Sequence, residues 1–332
     1  MKAQAIRAYK APLELMDLPR PEPGPEDVLI RVRAASVNPV DYKIRDGGVK
    51  VMIQYAFPLV LGNDVAGDVE AVGSKVTRFK VGDAVYARLD KGRIGGFAEF
   101  AVARESSTAK KPERLDYVEA ASLPLVGLTS WQALVDLAAL RAGQKVLIHA
   151  GSGGVGTFAI QLAKHLGALV TTTASAKNHA LVKSLGADVA IDYKTTRFED
   201  VAKEQDVVFD TQAGDTLLRS FDALKRGGVV VTIGGKPDGK FARAWGLSLP
   251  LVWILTFLNR KIDAAARKKD ARFEYLFMHA SGEQLEKIGA LVDQGAIKPV
   301  VDKVFPLDAA ADAIAYVESG RAVGKVVVRV GD

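Results

Sequence analysis

The segment Gly151-Ser152-Gly153-Gly154-Val155-Gly156 has the spacing G-x-G-x-x-G, and it lies between an apolar run at 145–149 and a stretch of helical periodicity. That setting carries more weight than the glycines alone. A strand ending in such a turn and opening a helix brings bare backbone to a diphosphate, and the helix N-terminus adds unpaired N–H donors and about half a positive charge. Val155, Ala159, Leu162 and Leu166 share one helix face, and Gly167 supplies the stop. The spacing predicts a dinucleotide turn made by Gly151, Ser152, Gly153, Gly154 and Val155, with Gly151 and Gly153 letting the backbone approach the phosphates. A turn kept only for strand–helix packing would carry similar glycines.

A dinucleotide site that prefers an unphosphorylated ribose places Asp or Glu roughly 20 residues further on, at the end of the second strand. Here the chain reads Ala174-Ser175-Ala176-Lys177-Asn178. No carboxylate stands there to repel a 2′-phosphate, while Ser175 offers a hydroxyl donor and Lys177 a full positive charge. Tyr193, just past the next strand, can add a second hydroxyl. The expected cofactor is therefore NADPH. The alternative is that Ser175 caps a helix beginning near Lys177, that Lys177 is a solvated charge, and that Tyr193 packs.

The elements that must hold these residues follow from the apolar pattern. Up to about residue 122, short alternating runs at 27–34, 65–72, 84–87 and 97–102 are punctuated by Gly and Pro, as in an all-β barrel. From 123 the pattern changes to helices alternating with Val- and Ile-rich runs at 145–149, 169–173, 189–192, 207–210, 229–233 and 274–278. Runs of this kind belong to a parallel sheet covered on both faces. A helix follows at 282–294, and the chain returns to a β pattern ending at 325–330. The expected division is 1–122 with 298–332 as one domain and 123–297 as the other. The apolar stretch 245–258, which contains Pro250, is too short for a membrane span of about 20 residues. It reads equally as a lid, a buried helix or a subunit interface.

Composition narrows the chemistry. The chain of 332 residues has no cysteine, which excludes disulfides, thiolate nucleophiles and every thiolate metal site. Its net charge of +6 comes from scattered Lys and Arg, so no nucleic-acid partner is expected. His149, His165, His179 and His279 have no ligand spacing and read as structural or surface residues, so no metal site is expected. The N-terminal residues lack an apolar core of signal-peptide length, and a cytoplasmic protein is expected.

A series of further segments is similar to one family. They are Ala35-Ser36-Val37-Asn38-Pro39-Val40-Asp41-Tyr42, Leu61-Gly62-Asn63-Asp64 with Ala66-Gly67, Val81-Gly82-Asp83-Ala84-Val85, and Ala121 to Thr129. The Gly151 turn, Ile233-Gly234-Gly235 and Gly324-Lys325 complete the series. In order and spacing the whole chain resembles the quinone oxidoreductase branch of the medium-chain dehydrogenase/reductase superfamily, nearest its alkenal/enone reductases. The resemblance implies a GroES-like β-barrel catalytic domain plus a Rossmann domain with a doubly wound parallel sheet. It places Asn38, Tyr42 and Asp64 near the nicotinamide. Asn38 and Tyr42 are then candidate hydrogen-bond donors to the substrate, Lys43 a proton source, and Asp64 an organiser of nearby backbone amides. Thr129, Ile233, Gly234 and Lys325 are implied as cofactor contacts.

Zinc-dependent members of the superfamily carry Gly-His-Glu where this chain has Gly62-Asn63-Asp64. Without a Lewis acid to stabilise an alkoxide, the chemistry left is hydride transfer from NADPH to an electron-poor quinone or α,β-unsaturated carbonyl, with enones slightly favoured. Asn38 in a plain Asn-Pro turn, and Tyr42 and Lys43 on an ordinary helix surface, are the alternatives at those positions. At the level of the whole protein the alternative is a nucleotide-binding structural or interaction protein with little turnover. Monomer and homodimer both remain open.

Overall fold

A computed structural model describes residues 1–331, and the chain divides into two compact units. The first takes Met1–Leu128 together with the chain from His279 onward, and the second is Thr129–Met278.

In the first unit the long strand Asp27–Val37 is the hub of a seven-stranded sheet. It pairs antiparallel with Asp64–Val72, with Phe100–Arg104 and with Lys325–Arg329. Ala84–Arg88 and Thr108–Lys110 extend one side, and Val301–Pro306 runs parallel to Lys325–Arg329 on the other. A smaller sheet joins Glu14–Asp17, Lys2–Ile6 and Leu59–Val60. Ile6, Ile30, Leu61, Val65, Val85, Phe97 and Val328 meet in one buried core. Each such side chain contributes about 1.5–3 kcal/mol by leaving water.

The second unit is a six-stranded parallel sheet of β1 (Lys145–Ile148), β2 (Leu169–Ala174), β3 (Val189–Asp192), β4 (Gln205–Asp210), β5 (Leu224–Thr232) and β6 (Arg272–Tyr275). The order is β3-β2-β1-β4-β5-β6, which is the doubly wound arrangement with its direction change between β1 and β4. All strands point their carboxyl ends to one edge, where ligands of such sheets bind.

Two expectations about organisation change. The helix Gly282–Asp293 and the residues around it go to the first unit, so the chain re-enters that unit at His279 and not at 298. Gly282 lies so close to Thr108 that an added Cβ would meet its carbonyl oxygen at 2.3 Å, and Tyr86 donates its hydroxyl proton to the carbonyl of Leu285. Helical periodicity specifies an apolar face but not the sheet that covers it. The stretch 245–258 is not a buried helix. It ends one short helix, Gly239–Ala244, at Trp245 and begins another, Leu249–Lys268, whose first turn holds Pro250. Leu249, Trp253, Ile254, Phe257 and Leu258 all face solvent.

Candidate active site

The glycine turn leaves β1 and starts the helix Gly154–His165, with Gly153 as its N-cap and no side chain capping the first amides. The three glycines do different work. At Gly151 an added Cβ would strike Thr172 Oγ1 at 2.1 Å, and at Gly156 it would strike the Ala150 carbonyl oxygen at 2.3 Å. At Gly153 its nearest neighbour would be that same oxygen at 3.4 Å. Gly151 is therefore needed for the turn to pack against β2 and the helix, a demand beyond its expected role in phosphate approach, while Gly153 leaves the backbone open. The residues thus fit a dinucleotide diphosphate at uncapped helix amides.

The turn is tied into the sheet from both sides. Gly151 N–H donates to the Thr173 carbonyl (2.9 Å), and Ala150 N–H to Thr173 Oγ1 (3.1 Å). Asn178 Nδ2 donates to Ser152 Oγ (3.0 Å), so the loop after β2 holds the phosphate turn directly. Ser220 gives its proton to the Thr216 carbonyl, so His149 Nε2 must be the donor to Ser220 Oγ (3.1 Å). His149 Nδ1 then accepts from Thr173 Oγ1 (3.3 Å). Burial, seconded by Arg219, pushes His149 down to about 4 and keeps the ring neutral. His149, one residue past β1, is thus structural.

At the end of β2, Ser175 occupies an N-cap position but its side chain makes no capping hydrogen bond. Lys177 is exposed and forms no ion pair among the described residues. Ala174 pairs with Asp192, so the chain leaves β2 and β3 at the same level, and Tyr193 stands there 60% exposed. The capping and packing alternatives for Ser175 and Tyr193 therefore fail. The three side chains gather at one edge without structural employment.

The edge continues through β4 and β5. Buried Asp210 accepts from Ala213 N–H (3.0 Å), Gln212 N–H (3.1 Å) and Thr232 Oγ1 (2.7 Å), and burial holds its carboxyl above the usual range. Gly234 N–H donates to Thr232 Oγ1 (3.1 Å), placing Ile233 and Gly234, both half-buried, beside the same edge. Ala213 adopts φ 61° and ψ −164°, a conformation suited to glycine. Thr129 is buried on the helix Pro124–Trp131.

In the first unit the expected catalytic residues fall into a buried polar cluster. Ser36, Asp64 and Arg88 are cross-strand partners on three adjacent strands, so they form one row across the sheet. Asp64 Oδ2 accepts from Ser36 Oγ (2.9 Å) and Asn38 Nδ2 (2.8 Å) and lies 3.9 Å from Lys325 Nζ. Lys325 donates to Asn38 Oδ1 (2.6 Å) and to the Val37 carbonyl (3.0 Å). Asp41 accepts from the Asn38 backbone N–H and from Asn63 Nδ2, each at 2.7 Å. Burial raises the Asp64 carboxyl against the pull of Lys325 and lowers the Lys325 ammonium against the pull of Asp64. Asp41 is pushed up to about 6, by burial first.

These contacts revise three expectations. Asp64, expected to organise backbone amides, takes its hydrogen bonds from the Ser36 and Asn38 side chains. The Asn38 amide commits both protons inside the cluster, to Asp64 and to the Ser36 carbonyl (3.3 Å), so it positions its neighbours and does not present a donor. Lys325 was expected to touch the cofactor, yet its ammonium is buried and satisfied within its own unit. Tyr42 is half-buried on the helix Pro39–Arg45, its hydroxyl raised by burial and by Glu318, and Lys43 next to it is exposed. Asp41 and Asn63 were visible inside the quoted segments without a role. Arg88, Thr173 and Asp210 carried no signal, because only strand register brings them to the cluster or the edge.

Residues 24–113 match the family pattern described as an alcohol dehydrogenase GroES-like domain, and residues 185–328 one described as a zinc-binding dehydrogenase. The residues present do not fit zinc. There is no cysteine, Asn63 gives its amide to Asp41, and no group of three His, Cys, Asp or Glu converges among the described residues. The chain is 38% identical over 327 residues to a chloroplast envelope quinone oxidoreductase homolog of Arabidopsis thaliana, covering 96% of this chain and 94% of the relative. It is 37% identical over 318 residues to an NADPH-dependent alkenal/one oxidoreductase, chloroplastic, of the same plant, covering 93% and 73%. Among solved structures, the quinone oxidoreductase from Coxiella burnetii superposes with a TM-score of 0.85 at 34% identity, covering 100% of this chain and 99% of the other.

Proposed function

Because this chain belongs to the medium-chain dehydrogenase/reductase superfamily, in its quinone oxidoreductase branch, we propose that it is an NADPH-dependent, zinc-independent reductase of quinones or α,β-unsaturated carbonyl compounds. The observation that carries the reading is the end of β2. An uncommitted Ser175 and an unpaired Lys177 stand beside exposed Tyr193, where a carboxylate would otherwise select the unphosphorylated ribose. Charge-assisted hydrogen bonds there reward a phosphate dianion. Gly153, Gly154 and Val155 present helix amides to the diphosphate, and Ser152 is held in place by Asn178. Thr129, Ile233 and Gly234 complete the cofactor contacts.

Bound there, NADPH supplies a hydride. An acceptor that takes hydride at its β-carbon gathers negative charge on its carbonyl oxygen, and one donor aimed at that charge contributes about 3–4 kcal/mol. In this reading Tyr42 provides that donor and Lys43 returns the proton. The first unit is the catalytic domain, with Asn38, Asp64 and Lys325 stiffening the strand end and helix that carry Tyr42. The second is the NADPH-binding domain. A cytoplasmic location and a homodimer belong to the same proposal and are read by cell fractionation and light scattering.

The test follows absorbance loss of NADPH and of NADH with a short enone, a benzoquinone and a simple aldehyde, with and without chelator. The expected result is turnover of the enone and the quinone, NADPH preferred by about tenfold or more, and no loss with chelator. Preference for NADH, or activity abolished by chelation, overturns the reading.

A further inference from the structure

The helix Leu249–Lys268 turns one apolar stripe inward, as a surface helix normally does, but exposes a second apolar face on its other side. Its inward stripe is Val252, Asn259 and Ala266, and the buried Asn259 amide is satisfied by the Pro237 and Leu255 carbonyls. The opposite side carries Leu249, Trp253 and Phe257 at steps of four, 71%, 74% and 62% exposed, with Ile254 and Leu258 beside them. Along the same side the helix then becomes basic, with Arg260, Lys261 and Lys268. Its one acid, Asp263, is half-buried among Asp238, Lys240 and Arg267 on the other side. Arg260 stacks its guanidinium 4.1 Å from the Phe257 ring and donates to the Phe257 carbonyl, and exposed Lys236, Lys240 and Arg243 precede the helix.

Contiguous exposed Trp, Phe, Leu and Ile are not ordinary surface scatter. Basic side chains bordering such a face repel another cation and suit an anionic, apolar-backed surface. No helix among the described residues is long and apolar enough to cross a membrane, and the charged half of this one excludes spanning. We propose that the outward face of the helix Leu249–Lys268 docks in the plane of an anionic lipid bilayer, with Trp253 and Phe257 at the headgroup–acyl boundary and the basic side chains on the lipid charges. Ahead of the helix, Trp245 packs with Phe241 and Phe277 at ring distances of 5.4 and 5.1 Å, tying the preceding turn to the segment after β6. The inference does not depend on the acceptor assigned above, because its readout is lipid binding.

The test is flotation of the intact protein with phosphatidylcholine vesicles and with vesicles containing about one third phosphatidylglycerol. The wild type is expected to float with the anionic vesicles about tenfold better, and to be released at about 0.5 M salt, where charges are screened within a few ångströms. The pair Trp253→Glu/Phe257→Glu and the pair Arg260→Glu/Lys261→Glu should each lower binding about tenfold. Far-ultraviolet circular dichroism and the thermal midpoint, unchanged in both pairs, show that the fold is intact. No enrichment on anionic vesicles, or enrichment untouched by either pair, overturns the proposal. So does a dimer in sedimentation velocity that the Trp253/Phe257 pair dissociates without lipid, since the face would then belong to a second copy.

Discussion

Ala213 sits in backbone space that is close to glycine-only, at φ 61° and ψ −164°. A side chain held there costs about 1–3 kcal/mol. The conformation is imposed by its surroundings: Asp210 takes its N–H, the helix Gly214–Ala223 begins at the next residue, and Gly234 lies so close that a Cβ added there would come within 2.9 Å of the Ala213 methyl. Replacing Ala213 by Gly relieves the strain. Against this, glycine frees the unfolded chain by about 0.4–1 kcal/mol, and the half-buried methyl is worth about 0.4 kcal/mol. The net expectation for Ala213→Gly is a gain of about 1 kcal/mol, or roughly 2–4 °C in the midpoint of the unit that contains it. Ala213→Val, with a branched Cβ at positive φ, should lose more than Gly gains. Thermal and urea melts of the intact protein decide the matter. If Ala213→Gly melts at or below the wild type, the loop is not strained and the reasoning fails.

Three other outcomes are expected. Ser175→Asp should lower kcat/KM for NADPH by about 100-fold while leaving NADH turnover intact, since it sets a carboxylate against the 2′-phosphate; equal losses for both cofactors would sink the assignment of this edge. His149 has a folded value of about 4 against the ordinary 6.5, so the unfolded chain takes the proton first and stability falls as pH drops from about 6.5 to about 4, by roughly 3 kcal/mol in all. Asp41, raised to about 6, acts with the opposite sign over much of that window, so the measurement is the difference in urea midpoint between wild type and His149→Gln across it, and a constant difference refutes the prediction. Lys325→Met takes from buried Asp64 the stronger of its two cationic neighbours, leaving Arg88, and should cost about 3–5 kcal/mol; adding Asp64→Asn should recover part of the loss, and strictly additive costs would show that the two do not act as a pair.

Gly151 to Gly156, the empty acidic position after β2 and the change from alternating runs to buried ones after residue 122 are local in the chain. Each is a property of neighbours in sequence, expressed through a short period or a turn that only glycine permits. They were enough to read a parallel sheet covered on both faces with a glycine turn at the end of its first strand, while the doubly wound order was implied only by the family resemblance. The work of Gly151 could not be read that way, since its obstacle, Thr172, lies on another strand.

What the tertiary structure alone decided concerns partners far apart in the chain. Asn38 and Lys325 look like groups offered to a ligand until strand pairing brings Ser36, Asp64 and Lys325 around the Asn38 amide and commits both of its protons. The helix Gly282–Asp293 belongs to the first unit because Thr108 and Tyr86 receive it, and the apolar stretch after Trp245 is exposed because Asn259, not Trp253 or Phe257, faces inward, toward the Pro237 carbonyl. Periodicity says that a helix has two faces. Which of them is covered depends on surfaces supplied by distant segments, and no local pattern carries that information.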